Sequence, residues 1–161
     1  MRSVGSPPAP GSSCRFPDVT ALGPVLGLDL GDARIGVAIS DPERRLAVPV
    51  GTVHVGQPPG ERLAIAGLVR ERGATLIVVG LPLSLRGERG ARAGHADAFA
   101  EALRGVVEVP VELQDERLST AEAERALATA GTRGRGRRRV VDASAAAVIL
   151  QAWLDARRRN G

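Results

Sequence analysis

The chain has 161 residues, of which 43% are hydrophobic and 25% charged, enough for one globular domain with a hydrophobic core. Its one cysteine, Cys14, excludes an internal disulfide and a thiolate metal cluster, and its net charge of +4 rests on basic residues that are all arginine. No apolar run reaches the length of a membrane span and the N-terminus lacks a signal-peptide pattern, so the sequence predicts a cytoplasmic protein without a membrane segment.

Residues 1–24 are predicted to be a disordered N-terminal tail. They hold five of the 11 prolines, interspersed with glycine and serine, and such a segment buries too little apolar surface to offset its ordering entropy. The folded domain is expected to span residues 25–156. Residues 157–161, with three consecutive arginines, are expected to form a basic C-terminal tail.

Residues 25–40 have the pattern of a β-hairpin. An apolar run from Val25 to Leu30 is followed by turn residues Gly31 and Asp32, and then by a second β-rich run. Asp29 interrupts the first run. A carboxylate at the end of an inner strand is costly unless it is paired or binds a cation, so Asp29 is either a metal ligand or a compensated turn acid.

The remaining pattern predicts an α/β fold with one mixed five-stranded sheet. Pro49 indicates that the third strand is an edge strand or contains a bulge. A short, continuously apolar segment is typical of a strand buried on both faces. The first three strands are expected to be antiparallel, and the last two parallel to the first. After the hairpin, the sequence predicts these elements in chain order: a strand at 46–55, a helix at 61–72, a strand at 75–81, a helix ending near 104, a strand at 109–115, a helix from 119 to 130 and a last helix opened by Asp142.

Acidic residues stand at three comparable places: Asp29 after the first strand, Asp115 and Glu116 after the last strand, and Asp142 at the start of the last helix. Such acids can meet at one edge of a sheet, where they would repel one another unless cations neutralised them. Carboxylates with open coordination positions suit Mg²⁺ or Mn²⁺, and two such ions support phosphodiester cleavage. The alternatives are a solvated strand end at 115–116 and a simple helix N-cap at Asp142.

Residues 131–161 carry eight arginines against two acids, whereas the rest of the chain is slightly acidic. We predict that residues 131–139 are a flexible basic loop that clamps a polyanion close to Asp142. The alternative is a solvated loop without a partner. The arginines assigned to this clamp are Arg133, Arg135, Arg137, Arg138 and Arg139.

Four segments together resemble the YqgF family, also called RuvX, of RuvC-like Holliday junction resolvases. The matching segments are Asp29–Asp41, Val79–Leu83, Asp115–Thr120 and Val141–Gln151. The resemblance implies an RNase H-like fold and a metal-dependent nuclease of the cytoplasm. Its substrate would be the precursor of 16S ribosomal RNA, cut at the 5′ end, or branched DNA. A homodimer is left open, because resolvases often cut two strands symmetrically.

Carried onto this sequence, the family's catalytic and metal-binding carboxylates are Asp29, Glu116 and Asp142. Glu116 is preferred because resolvases of this fold commonly place glutamate on that strand, with Asp115 kept as an additional metal ligand. Arg34 and Arg117 match family positions and are expected to bind phosphate or support the acids.

Two departures and two competing functions remain. Residues 84–87 differ from the family's usual loop, and Arg139 stands where RuvC resolvases have a fourth acid. Actin-like and sugar-kinase ATPases share the first hairpin but need two such domains, for which this chain is too short. A non-catalytic nucleic-acid-binding assembly factor would retain the acids without using them.

Overall fold

The structure is a computed structural model and describes residues 22–56, 60–81, 90–115 and 135–161, with side chains from residue 143 onward in the last range. The predicted helix at 119–130 and most of the predicted N-terminal tail lie outside these ranges. The described elements are β1 (Val25–Leu30), β2 (Arg34–Ser40), β3 (Ala47–His54), α1 (Gly60–Arg72), β4 (Leu76–Leu81), α2 (Ala91–Arg104), β5 (Val111–Asp115) and α3 (Arg135–Asn160).

The five strands form one mixed sheet in the order β3-β2-β1-β4-β5. β1 pairs with β2 and β2 with β3 in antiparallel fashion, whereas β4 is parallel to β1 and β5 is parallel to β4. The predicted topology is therefore confirmed. Every residue of β4 is buried, because this strand lies between two others and is covered on both faces.

Alternate residues of the strands face two separate hydrophobic clusters. Leu26 and Leu28 of β1 pack in the cluster that includes Ile65 of α1 and Leu103 of α2. Val25 packs on the opposite face, in the cluster formed with α3; the α3 residues in that cluster are Ala146, Ile149, Leu150, Trp153 and Leu154. We call these the α1/α2 face and the α3 face. Because side chains alternate along a strand, Gly27 and Asp29 share the α3 face with Val25.

Pro49 lies on an edge strand beside an irregularity, as predicted. β3 is the outermost strand on its side of the sheet. Val37 pairs with Gly51 while Ala38 pairs with Pro49, so Val50 is an extra residue in β3. A proline has no N–H to donate, and an edge strand with a bulge accommodates it without losing an inner-sheet hydrogen bond.

The last helix differs from the prediction at both ends. α3 begins at Arg135, so Asp142 lies about two turns inside the helix and does not open it. The predicted flexible loop is wrong for residues 135–139, and the predicted C-terminal tail continues the helix to Asn160. Arginine is a good helix former, and the cost of Gly136, about 1 kcal/mol, is offset by the helix that continues beyond it. Arg157, Arg158 and Arg159 also suit a helix C-terminus, where cations stabilise the macrodipole.

Gln151 ties α3 to the start of β3. Its side-chain carbonyl accepts a hydrogen bond from the backbone N–H of Ala47 at 2.8 Å, and its amide donates to the carbonyl of Arg45 at 3.0 Å. Ala47 pairs with Ser40, whose hydroxyl in turn accepts from the N–H of Val25 at 2.9 Å. Gln151 therefore fixes the C-terminal half of α3 over the first residue of β1.

Replacing Gln151 with alanine should destabilise the fold by about 1–3 kcal/mol, since the half-buried Ala47 N–H would lose its acceptor. Urea denaturation measures this change. Glu101→Ala is the control, because it removes an exposed ion pair with Arg104 and should change stability by less than about 0.5 kcal/mol. Equal effects of the two substitutions would show that Gln151 does not hold the helix.

Candidate active site

The turn between β1 and β2 brings Asp29 to one edge of the sheet. The N–H of Gly31 donates to the carbonyl of Arg34 at 2.9 Å and closes this turn. A Cβ at position 31 would lie 2.5 Å from that carbonyl oxygen, so only glycine fits here. Asp32, at the tip, is 97% exposed. Of the two acids of the hairpin, Asp29 is the half-buried one, and it lies on a strand that has neighbours on both sides.

Glycines stand beside Asp29 on both neighbouring strands. Asp29 pairs with Gly36 of β2, and Gly80 follows Val79, the partner of Leu28 on β4. Of these two glycines, Gly80 lines a cleft next to Asp29 and adds no side chain to it. This cleft of about 460 Å³ opens at the ends of β1 and β4. It is lined by Asp29, Leu30, Gly31, Asp32, Val55, Gly80, Ala91, Arg92, His95 and Ala96.

One wall of the cleft comes from α2, which the sequence did not assign to the site. Arg92 and His95 are three residues apart in the helix, so they lie on one face of it, and both line the cleft. The Nη2 atom of Arg92 lies 3.9 Å from Oδ2 of Asp32, and both side chains are largely exposed. The signal in the sequence was a pair of basic residues at helical spacing, soon after a buried strand.

Arg34, a predicted phosphate-binding residue, begins β2 and pairs with His54 of β3. Its Nε atom is buried and finds no hydrogen-bond partner among the described residues. A buried guanidinium N–H without an acceptor costs roughly 1–3 kcal/mol or more. Among the described residues this donor is therefore unused, and Arg34 stands two residues before Gly36, the partner of Asp29.

The direction of α3 across the sheet follows from two contacts. Gln151 bonds to Ala47, which lies in the same row of the sheet as Val25. A Cβ on Gly27 would lie 2.8 Å from the Cβ of Leu150 and 3.2 Å from the carbonyl oxygen of Ala146. The helix α3 therefore runs in the direction opposite to β1. Earlier residues of α3 lie over later residues of β1, from Val25 towards Asp29. The close approach of helix and strand at Gly27 depends on the missing side chain.

Asp115 is the last residue of β5. Its side of the sheet follows from the earlier residues of the strand, because successive side chains point to opposite faces. Val111 and Leu113 pack in the α1/α2 cluster. Glu112 faces α3, since its carboxylate accepts a hydrogen bond from Nε1 of Trp153 at 2.9 Å. By this alternation Asp115 belongs to the α1/α2 face, on the other side of the sheet from Asp29.

The other predicted site residues are described in part or not at all. Glu116, Arg117 and Arg133 lie outside the described residues. The backbone of Asp142 lies in α3, as does that of Arg135, Arg137, Arg138 and Arg139, but their side chains are not described. Within the described ranges, no three His, Cys, Asp or Glu side chains form a group that could hold a metal ion. No helix in those ranges is long and apolar enough to span a membrane.

Comparison with known proteins identifies relatives over most of the chain. The sequence model of the RuvX family, described as Holliday junction resolvase, matches residues 23–156. A protein of Chloroflexus aggregans is 47% identical over 134 residues, covering 83% of this chain and 94% of its own length. A protein of Anaeromyxobacter sp. is 52% identical over 132 residues, covering 82% and 96%. Both are named as candidate pre-16S rRNA nucleases.

Solved structures share the architecture at low sequence identity. RuvC of T. thermophilus, in complex with a Holliday junction substrate, has a TM-score of 0.53 and 19% identity, covering 86% of this chain and 97% of its own. The Holliday junction resolvase of fowlpox virus has a TM-score of 0.51 and 8% identity, covering 83% and 99%. These likenesses concern the fold, which is RNase H-like, as the family resemblance implied.

Proposed function

The chain belongs to the RuvX family, and we propose that it is a divalent-metal-dependent nuclease that processes the 5′ end of pre-16S ribosomal RNA in the cytoplasm. The observation that carries the proposal is the placement of Asp29, a half-buried acid between two glycines in an open cleft. The names of relatives about half identical in sequence support ribosomal RNA as the substrate.

The residues around Asp29 suit a hard divalent cation. Oxygen ligands and space for water or phosphate are what Mg²⁺ and Mn²⁺ require, and the cleft beside Asp29, to which Gly31 and Gly80 add no side chains, offers that space. We propose that Asp29, Glu116 and Asp142 together hold the metal. Bound there, the ions would activate water and stabilise the leaving oxygen of a phosphodiester.

The course of α3 supports Asp142 as a partner of Asp29. Ala146 lies over Gly27, and Asp142 precedes Ala146 by one helical turn, about 6 Å along the axis. Asp29 follows Gly27 by two residues on the same face, about 6.6 Å along the strand. Since the helix and the strand run in opposite directions, one turn back along α3 and two residues forward along β1 point the same way. These two displacements therefore bring Asp142 and Asp29 towards the same part of the structure. Asp142 also lies inside a helix, where an N-cap role no longer accounts for it.

The alternation of β5 supports Glu116 over Asp115. Asp115 is two residues from Leu113 and so shares its side of the strand, the α1/α2 face. Glu116 lies an even number of positions after Glu112 and Gln114 in the sequence, and Glu112 faces α3. The sequence alone left this choice open. We therefore propose Glu116 as the metal ligand of this segment, with Asp115 in a lesser role.

Glu116→Gln should abolish cleavage, whereas Asp115→Asn should lower the rate by only about 10-fold, the smaller end of the cost of changing a residue that supports metal ligands without being one. Each substitution removes one negative charge, so net charge is matched. Single-turnover cleavage of a labelled precursor RNA measures both. A dead Asp115→Asn beside an active Glu116→Gln would reverse the assignment.

The protein's arginines would bind and orient the substrate. The buried Nε of Arg34 needs an acceptor, which a substrate phosphate or a ligand carboxylate could supply. Arg138 and Arg139 precede Asp142 by about one helical turn. Because these residues are helical, phosphates bound by them would be held by a fixed support next to Asp142. We propose that Arg117, Arg133, Arg135 and Arg137 extend this contact.

Replacing Arg137, Arg138 and Arg139 with alanine should weaken RNA binding and flatten the dependence of log affinity on log salt by roughly two units, about 0.7 for each lost phosphate contact. The acids are untouched, so the cleavage rate at saturating substrate and low salt should stay within a few-fold. Fluorescence anisotropy over a salt series measures the slope. An unchanged slope would indicate a solvated basic surface.

Cleavage assays test the function and separate its alternatives. End-labelled pre-16S rRNA and a four-way DNA junction of equal label are incubated with the protein and Mg²⁺, Mn²⁺ or EDTA. We expect metal-dependent cutting near the 5′ end of the mature RNA and slower cutting of the junction. Preference for the junction would favour a resolvase, the second candidate, which the fold of RuvC supports. Binding without cleavage under all conditions would indicate a non-catalytic assembly factor.

A further inference from the structure

Three residues that line the cleft besides the acids and glycines have a chemistry of their own. They combine an exposed arginine, an exposed histidine and an apolar side chain: Arg92 and His95 from α2, and Val55, which follows β3. We call this set the α2 wall. None of these residues belongs to the acid site or to the basic turns of α3.

Arg92 is accessible to a ligand. Its side chain is 82% exposed, and its contact with Asp32 at 3.9 Å joins two exposed groups, which contributes little in water. His95 is on the same helix face and is also exposed. The first turn of α2 contains no acid, and its N-cap, Gly90, offers no side-chain hydrogen bond. An arginine in that turn opposes the helix dipole, a cost that a bound anion would offset.

Val55 adds an apolar contact on the same cleft. The residue is 40% exposed, although its N–H is fixed by a 3.0 Å hydrogen bond to the carbonyl of Ala33 in the hairpin turn. An exposed valine held in place beside cationic side chains matches the alternating chemistry of a nucleic-acid strand, in which charged phosphates follow less polar sugars.

We propose that the α2 wall is a positioning site for one sugar-phosphate strand of the substrate. Arg92 and His95 contact a backbone phosphate, and Val55 supports the neighbouring sugar. This inference rests on the proposed nuclease function, because the strand would lie beside Asp29. It assigns to Arg92, His95 and Val55 a role in binding that leaves the metal-dependent chemistry to the acids.

Binding of fluorescein-labelled single strands tests the proposal separately from cleavage. Asp29→Asn serves as the background so that the probe stays intact. RNA and DNA of one sequence are compared by anisotropy over a salt series. Adding Arg92→Ala should weaken binding about tenfold and flatten the salt slope by about 0.7. His95→Ala should weaken it about threefold. Val55→Ser should weaken it about threefold without changing the slope, because it removes no charge.

Arg72→Ala is the matched control. Arg72 ends α1, just before β4 begins, and so lies at the other end of β4 from Gly80. It removes the same charge, but at 0.1 M salt charges more than about 10 Å away are largely screened. Its effect should stay below twofold.

In the otherwise unchanged protein, Arg92→Ala should raise KM and leave kcat within about twofold, as expected for an interaction made equally before and in the transition state. Equal behaviour of Arg92→Ala and Arg72→Ala would overturn the proposal, even if cleavage itself is confirmed. A fall in kcat without weaker binding would also overturn it. A larger effect on RNA than on DNA would show that the sugar is recognised along with the phosphate.

Discussion

Replacing Asp29 with asparagine is expected to lower the rate of RNA cleavage by at least about 100-fold, since even residues that only support metal ligands cost 10–100-fold when changed. The fold should be retained, because asparagine matches aspartate in size and keeps one oxygen that can accept a hydrogen bond. Mg²⁺ should raise the melting temperature of the unchanged protein but not of this variant, as a ligand stabilises only the state that binds it.

Asp32→Asn is the control for this experiment. Asp32 lies three residues further along, in the turn, and lines the same cleft, but it is 97% exposed. The charge change is the same, so an electrostatic effect on RNA binding would appear in both variants. Asp32→Asn should keep activity within about threefold. If both substitutions inactivate the protein, or neither does, Asp29 is not the ligand that we propose.

Replacing Gly27 with alanine is expected to destabilise the protein by about 1–3 kcal/mol, the usual cost of overpacking a core. The new Cβ would lie 2.8 Å from the Cβ of Leu150 and 3.2 Å from the backbone oxygen of Ala146, so α3 would have to move away from β1. Because α3 carries Asp142, which we propose as a metal ligand, cleavage should fall more than the loss of folded protein accounts for. Urea denaturation and single-turnover cleavage measure the two effects.

Gly67→Ala is the matched control for Gly27→Ala. Gly67 lies inside α1 and a Cβ there would meet nothing within 4 Å. Alanine is favoured over glycine in a helix by about 0.5–1 kcal/mol, so this variant should become more stable. Two glycine-to-alanine changes would then have opposite signs. A neutral Gly27→Ala would mean that the helix can shift without cost and does not fix the distance between the acids.

The sequence allowed the sheet to be predicted because each strand has a local signature. The hairpin at 25–40, Pro49 on an edge and the apolar run of β4 all depend on neighbouring residues, and the structure confirms them. The start of α3 was predicted wrongly because glycine and arginine at 134–139 look like a loop locally. The helical preference of arginine and the continuing helix outweigh Gly136.

The candidate site was only partly predictable for a related reason. Asp29 stands out as an acid in an apolar strand, but Arg92 and His95 look like ordinary surface residues of a helix. Their position on the cleft follows from how α2 packs, which no local pattern encodes. The side of the sheet on which Asp115 lies could not be inferred from the alternation of β5 alone. The hydrogen bond between Trp153 and Glu112 was needed to show which side of β5 faces the last helix.

The order of the strands along the chain has a consequence for synthesis on the ribosome. β1, β2 and β3 are joined by short turns and can pair within microseconds once they emerge. The helix that covers Val25 and Ala38 is made after every other element that the structure describes. At a synthesis rate of 5–20 residues per second, the apolar side chains on that face of the sheet stay exposed for roughly ten seconds before α3 can pack on them. Nascent chains stalled before residue 135 should therefore bind holdase chaperones, and release should restore solubility once α3 has been translated.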